Sequence, residues 1–411
     1  MENTKELFNE ILGLNAPWKV EELDLKLKCD EIIIYLTYNS SKGFCPECGN
    51  ECEIYDKRVS RKWRHLDLCQ LKTYIAASIP RIKCKEHKVK SINIPWSQPN
   101  NHFTSSFESY AITLLQATFN QTKASEILRI SFSQIHSIMK NAVKRGLSRR
   151  EKDDLEYIGI DEKSMKKGHN YMTVICDLKK DKVIDLTEKR TEKAVSELMK
   201  TIKSNNNCES LKAVSMDMWK AFMNAAQKVF PSADIVHDKF HIVKYLNEAV
   251  NNTRKKEVRK LEKSDDNVLK NTKYLFLKNQ ENMTEKQLSR FEKVKSINLE
   301  TCRAWEIKEN FKEFFESKTI NQGKFFFNAW IDDVKKSGLK YMIKTSELIT
   351  RHWNGIITYI KHKITNSPAE NINGRIQKIK TIARGFNAFG NYRTSILFYL
   401  GKLDLAPHKI L

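Results

Sequence analysis

From residue 155 onward the chain changes rhythm, and the new order of segments constrains the fold more than any other feature. Short apolar runs follow one another: YIGID (157–161), YMTVICDL (171–178) and KVIDLTE (182–188). A helical stretch comes next, EKAVSELMKTI (192–202), then LKAVSMD (211–217), the helical WKAFMNAAQKVF (219–230) and ADIVHD (233–238). Short runs rich in Val, Ile and aromatics read as strands, and longer runs with 3.6-residue apolar spacing read as helices.

YIGID and LKAVSMD each close on an aspartate, Asp161 and Asp217. Turns favour Asp for local hydrogen-bonding reasons, so a single case decides nothing. Three strands, a helix, a strand, a helix and a strand is the order of a ribonuclease-H-like core, in which the first and fourth strands lie side by side. Asp161 and Asp217 then project from neighbouring strand ends, close enough to share divalent cations. Hard oxygen ligands in pairs suit Mg²⁺ or Mn²⁺. Two such ions can activate an attacking oxygen and stabilise a leaving one in phosphoryl transfer. A third acid stands far downstream, in TNSPAENINGRIQKIKTIARGF. Asn366, Ser367 and Pro368 start a helix, and Glu370 lies in its first turn. A Glu there also complements the helix dipole. Arg375, Lys378, Lys380 and Arg384 follow, with no acid from 371 to 403, which favours a metal ligand beside a DNA backbone. Asp177, Asp185 and Asp238 are the acids the same core can bring to the sheet's edge instead.

The N-terminal part carries a different chemistry. FCPECGNEC holds Cys45 and Cys48 as C-x-x-C before Gly49, and PRIKCKEHKVK holds Cys84 and His87 as C-x-x-H. Two paired half-sites are expected to bind one structural Zn²⁺. Cys52, Cys69 and His65 are possible substitutes. Between the half-sites, residues 57–90 contain eleven Lys or Arg and two acids. Arg61, Lys62 and Arg64, with Trp63 among them, are read as phosphate contacts. Residues 104–147 read as helices. The last two break near RISFS, where Ser131 or Ser133 can cap the second. That pair resembles a helix-turn-helix whose second helix presents Gln134, His136 and Lys140 to the major groove.

The whole chain has 411 residues and a formal net charge of +22, which favours a polyanionic partner, nucleic acid first. Nine cysteines in a chain this long are not a disulfide framework. No apolar run reaches the length of a spanning helix, and MENTKELFNEIL is not a signal peptide, so a soluble, cytoplasmic protein with no membrane partner is expected. Between Asp217 and Glu370 lie 152 residues, read as a helical insertion whose aromatics, Trp305 and Trp330 among them, pack inward and whose final helix buries Trp353.

Taken together, CPECG, WRHLD, PRIKCKEH, IGIDEKS, VSMDMW, HDKFHIVK, FLKNQENMT and TNSPAENINGRIQKIKTIARGF resemble the ISL3 insertion-sequence transposases, DDE enzymes on a ribonuclease-H-like core. The resemblance runs in family order from about residue 45 to 400. It implies Asp161, Asp217 and Glu370 as catalytic triad and two-ion Mg²⁺ site, and Asp238 and His241 as a D-x-x-H pair supporting it. It also implies the zinc module, the helix-turn-helix and the helical insertion. Lys88 departs from the pattern, since relatives often have Gly after the His. The expected domains are a zinc-binding module (1–98), a helix-turn-helix domain (99–150), the first part of the core (151–250), a helical insertion (251–350) and the last part of the core (351–411). The expected function is a bacterial DNA transposase, nucleoid-associated when bound to DNA. It would bind terminal inverted repeats as a homodimer or higher oligomer, cleave the element end and transfer it to target DNA. The alternatives are a structure-selective nuclease on the same core and a transposase-derived DNA-binding regulator.

Overall fold

Alternating apolar residues build the N-terminal strands, and paired knuckles tie two of their turns together. The computed structural model describes residues 2–165, 171–264, 267–278, 282–297 and 299–407. They form two units, the residues up to 150 joined by 403–407, and residues 151–402. The expected FLKNQENMT segment falls partly outside the described residues, at 279–281.

The first unit opens with α1 (Glu2–Ile11) and then β1 (Trp18–Lys26), β2 (Glu31–Tyr38), β3 (Lys42–Phe44), β4 (Glu51–Lys57), β5 (Arg61–Arg64), β6 (Lys72–Ala77), β7 (Pro80–Cys84) and β8 (Lys88–Ser91). These strands make two four-stranded sheets, ordered β1-β2-β6-β5 and β3-β4-β7-β8. The β-branched run in β2 buries Ile33 and Ile34, while Trp18, Trp63 and Trp96 meet edge to face with ring centroids 4.8 and 5.5 Å apart. Helices α2 (Ser105–Thr118), α3 (Gln121–Leu128) and α4 (Phe132–Ser148) follow. Each starts on a side-chain cap: Thr104 Oγ1, Asn120 Oδ1 and Ser131 Oγ accept from the backbone N–H groups of Phe107, Lys123 and Gln134. Ser131 rather than Ser133 is the cap of α4, within a capping box completed by Gln134. Residues 403–407 return to this unit. Arg145 donates to the Leu405 carbonyl at 2.7 Å, and Gly146 leaves room for Leu403, whose Cβ would lie 2.7 Å from an added methyl.

The second unit is built on β9 (Tyr157–Ser164), β10 (Tyr171–Asp177), β11 (Lys182–Thr187), α5 (Glu192–Asn205), β12 (Ala213–Met216), α6 (Lys220–Val229) and β13 (Asp234–His237). The strands form one sheet in the order β11-β10-β9-β12-β13. The first and fourth strands of the unit therefore do lie side by side, in parallel. Strand β9 is longer than YIGID suggested and runs on to Ser164, because its antiparallel partner β10 pairs with it that far. Asp161 thus stands within the strand rather than at its end.

Period-two alternation sorts the side chains of the sheet. Ile158, Ile160, Val214 and Met216 pack with Val195, Met199, Phe222 and Ala226 of α5 and α6 on one face. Ala213 and Val236 join the core on the opposite face. That second core is made with α7 (Lys239–Leu261), α8 (Lys273–Leu277), α9 (Glu285–Lys295), α10 (Glu300–Asn310), α11 (Lys312–Glu316), α12 (Ile320–Ser337), α13 (Lys340–Arg351) and α14 (Trp353–His362). Trp305 and Trp330 are buried, the latter donating its Nε1–H to the Ile307 carbonyl at 2.9 Å. Trp353 is only half-buried, contrary to the sequence expectation, since one face stacks on Phe327 at 3.9 Å while the start of α14 stays near the surface. Helix α14 rests on β13 because Gly355 has no side chain. A Cβ there would meet the His237 ring at 2.5 Å. The chain closes with α15 (Ser367–Ile382) and α16 (Phe389–Leu400), whose Arg393 grips Asp185 of β11 at 2.7 and 2.8 Å. No described helix is long and apolar enough to cross a membrane.

Candidate active site and zinc centre

The pairing of the sheet brings three carboxylates near one another. Ser215 is paired with Gly159, and Met216 with His237. Asp217 and Asp238 each follow the end of their strand by one residue, and Asp161 lies two residues beyond the last β9–β12 pair, so the three are close enough to feel one another's charge. All three have the parity of Gly159, Ser215 and Val236, so they share the face away from α5 and α6. Helix α15 reaches that face. Its cap residue Asn366 is buried and lies over Gly159, where a Cβ would meet Asn366 Oδ1 at 2.7 Å. One of its buried side chains, Asn373, donates Nδ2–H to Asp161 Oδ2. Glu370 stands one turn earlier on α15 and is exposed. His241, in the first turn of α7, lies with Nδ1 3.3 Å from Asp217 Oδ2.

The remaining carboxylate oxygens are held mostly by backbone. Asp161 Oδ1 accepts from Glu162 N at 2.7 Å, and Asp217 Oδ1 from Met218 N at 2.6 Å. Asp238 is 2% exposed; its Oδ1 accepts from Phe240 N at 3.3 Å and Asn366 N at 3.4 Å. Its Oδ2 is buried without a hydrogen-bond partner. Burial first, and then the charges of Asp238 and Asp217, push the Asp161 carboxyl up to about 6. Burial also raises Asp238 and Glu370, helped by the Asp217 charge for the former and the Asp238 charge for the latter. A buried oxygen with no donor, among crowded carboxyls, is what a hard divalent cation would satisfy, so the residues fit such an ion. Glu370 is not drawn tightly onto the aspartates. Among the described residues only a cysteine–histidine group brings three or more potential ligand atoms within 4.8 Å of one another.

The other acids of the sheet are committed elsewhere. Asp177 caps the turn after β10 by accepting from Lys179 N and Lys180 N at 2.9 and 3.0 Å, and Asp185 is paired with Arg393. An arginine missed in the sequence lies beside the residue that follows Asp161. Arg190 bonds Glu162 at 2.9 Å and lies between the rings of Tyr171 and Trp219, 4.2 and 4.8 Å from their centroids.

The cysteine–histidine group is Cys45, Cys48, Cys84 and His87. The separations Cys48 Sγ–Cys84 Sγ, Cys45 Sγ–His87 Nδ1 and Cys84 Sγ–His87 Nδ1 are each 3.7 Å. A tetrahedron with metal–sulfur bonds of ~2.3 Å has edges of about that length, so the donors fit Zn²⁺. Backbone and side-chain hydrogen bonds from His87 lower the Cys84 thiol to about 6, toward the thiolate a metal requires. His87 Nε2 is 3.4 Å from Glu47, a carboxylate that orients the ring. Both knuckles turn through a left-handed residue after the second ligand, Gly49 at φ +73° and Lys88 at φ +60°. The second position explains why glycine suits it better than lysine. The substitute ligands are placed otherwise: His65 Nδ1 bonds Thr104 Oγ1 at 2.9 Å, Cys69 is exposed, and Cys52 Sγ bonds the Asn50 carbonyl at 3.5 Å.

The cations expected to meet DNA are spread over both units. Lys62 and Lys140 are exposed. Gln134 is engaged by the Ser131 cap, and His136 Nδ1 lies 3.1 Å from Gln121 Oε1. On α15, Arg375 is 3.5 Å from Asp181, Lys380 donates to the Ser164 carbonyl at 3.1 Å, and Lys378 and Arg384 lie on the same helix and its end. Arg64 corrects the expectation. It is 5% exposed, paired with Asp67, and packed over the Tyr74 and Phe107 rings. A guanidinium so enclosed supports the fold and does not reach a phosphate.

The ISL3 DDE transposase family model matches residues 158–396, more than half the chain and the whole span that carries the acids. The chain belongs to the ISL3 family of transposases. A second model, described as the zinc-finger of transposase IS204/IS1001/IS1096/IS1165, matches residues 41–87, the span of both knuckles. The transposase for insertion sequence element IS1001 of Bordetella parapertussis is 22% identical over 357 residues, covering 86% of this chain and 87% of that protein. The transposase for insertion sequence element IS1557 of Mycobacterium tuberculosis is 24% identical over 390 residues, covering 89% of this chain and 86% of that protein. The five-stranded sheet is accordingly the ribonuclease-H-like core of a DDE transposase, and the Cys₃His group its structural zinc module.

Proposed function

We propose that this transposase binds the terminal inverted repeats of its element, cleaves the strand at the element end and joins it to target DNA, using Asp161, Asp217 and Glu370 as catalytic acids. The observation that supports the reading is the parallel pairing of β12 with β9, which brings Asp217, one residue past β12, toward the strand that carries Asp161, with α15 tied to Asp161 through Asn373. The three carboxylates would hold Mg²⁺ or Mn²⁺ ions, which when bound supply Lewis-acid activation of the attacking and leaving oxygens. Asn373 fixes one oxygen of Asp161. His241 orients Asp217, and Asp238 adds negative charge nearby and anchors the start of α15 through Asn366 N. Arg375, Lys378, Lys380 and Arg384 would align the phosphates of the bound strand on the helix that carries Glu370.

End recognition falls to the N-terminal unit. Its zinc module carries Arg61 and Lys62, and α4 would enter the major groove with Gln134, His136 and Lys140. The helices between Asp238 and Glu370 are an insertion into the core on this reading. Two ends must be held together, so at least two copies act on DNA. Incubating the purified chain with its element's end DNA and Mg²⁺ tests this. Cleavage at the element boundary and joining of the freed 3′-OH to a second DNA are expected. Sequence-independent nicking without joining would point to a nuclease, and binding without cleavage to a regulator.

A further inference from the structure

The sequence motifs leave unexplained a cleft of about 990 Å³ in the first unit, outside the acid site. Its wall includes Cys45 and Pro46 of the first zinc knuckle, so the knuckle also shapes the cleft. Segment 13–18 forms another wall, and segment 91–100 a third. Trp18 and Tyr38 lie buried among the lining side chains, 5.0 Å apart and edge to face.

The lining is chemically one-sided. It contains two arginines, Arg58 and Arg61, and no Asp or Glu. Arg61 is held in place, donating to the Asn101 carbonyl and lying 4.9 Å from the Trp63 ring. A pre-oriented guanidinium suits a phosphate. Four carboxamides, Asn15, Asn93, Gln98 and Asn100, also face the cleft. Each can both donate and accept, as the edge of a nucleobase requires. Phe44 lines the same cleft with 64% of its surface exposed. An exposed ring beside cations is a stacking platform for an unpaired base. The volume lies in the range of pockets that enclose whole small ligands, large for a bare anion and too concave for a continuous duplex.

From these residues we infer that the cleft receives an unpaired nucleotide of the DNA strand, its base against Phe44 and the carboxamides and its phosphate against Arg58 and Arg61. The inference rests on the DNA-binding reading above and adds to it a preference for ends with a single-stranded extension. It gives the zinc module a role in sensing strand opening as well as in duplex contact.

The test uses the full-length zinc-loaded chain and fluorescence anisotropy, with blunt end DNA and the same DNA bearing a short single-stranded extension. The extended DNA is expected to bind roughly tenfold more tightly, the scale of one base stack. The exposed-site variants Phe44→Ala and Arg58→Ala should remove that gain and leave affinity for blunt DNA unchanged. A 5-iodouracil placed in the extension should crosslink to the Phe44 region. Equal affinity of the parent for both DNAs overturns the inference, as does a crosslink confined to other segments or an equal loss on both DNAs in the variants. If blunt ends are bound and cleaved while the extension brings no gain, only the cleft assignment fails. If no DNA is bound at all, the proposed function fails with it.

Discussion

Asn373 donates its side-chain amide to Asp161, joining helix α15 to the central strand one turn beyond Glu370. The bond does two things. It orients one carboxylate oxygen, and it fixes how near the glutamate's helix can come to the two aspartates. Gly159 serves the same approach from the strand side, since a methyl there would collide with Asn366. Hydrogen bonds to a charged group contribute ~1.5–3 kcal/mol, so Asn373→Ala should slow strand cleavage by roughly 10- to 100-fold. End-DNA affinity should stay within twofold of the parent. Single-turnover cleavage beside a binding titration separates the two effects, and unchanged cleavage would remove Asn373 from the site.

Zinc should be present at about one equivalent per chain in elemental analysis. Cys48→Ser removes one corner of the tetrahedron, and structural zinc in small domains contributes folding free energy directly. The variant should lose most of its zinc and its end binding, while the 151–402 unit keeps its own unfolding transition. Full zinc content in Cys48→Ser would overturn the ligand assignment.

Much of this was legible in the sequence, and the reasons differ by site. The knuckles were readable because two half-sites with matched spacing have few other uses. Asp161 and Asp217 drew attention because each closes an apolar run. Asp238 closes a third such run, ADIVHD, yet its nearness to Asp217 depends on the register of β12 with β13, which no local pattern encodes. Asn373 carried no signal, since an Asn on a polar helix face is ordinary until its neighbour is known. Arg64 misled because it sits in a basic run. Strand alternation alone would have exposed it, given that Trp63 is fully buried, but as the last residue of β5 it folds under α2 against Phe107. Arg190 was missed because its partners Glu162, Tyr171 and Trp219 come together only across the folded sheet.

His65 sets a pH dependence in the first unit. Burial, and then the charge of Arg64, push its imidazole from 6.5 down to about 4. The folded value lies below the unfolded one, so the unfolded chain takes up the proton first as pH falls. The stability due to keeping His65 neutral is therefore complete above about pH 6.5 and is lost progressively toward pH 4. Hydrogen exchange of β5 and β6 should show protection falling across that window in the parent and much less so in His65→Gln. Parallel curves for the two proteins would assign the loss to other groups.

The most direct measurement compares the parent with Asp217→Asn and Glu370→Gln, proteins in which one carboxylate is replaced by an amide of the same size. Both variants should bind end DNA like the parent. In Mg²⁺ both should lose cleavage and joining by roughly a thousandfold or more, because a neutral amide is a poor ligand for a hard divalent cation. Cleavage at the parental rate by either variant would contradict the assignment of Asp161, Asp217 and Glu370 as the catalytic acids.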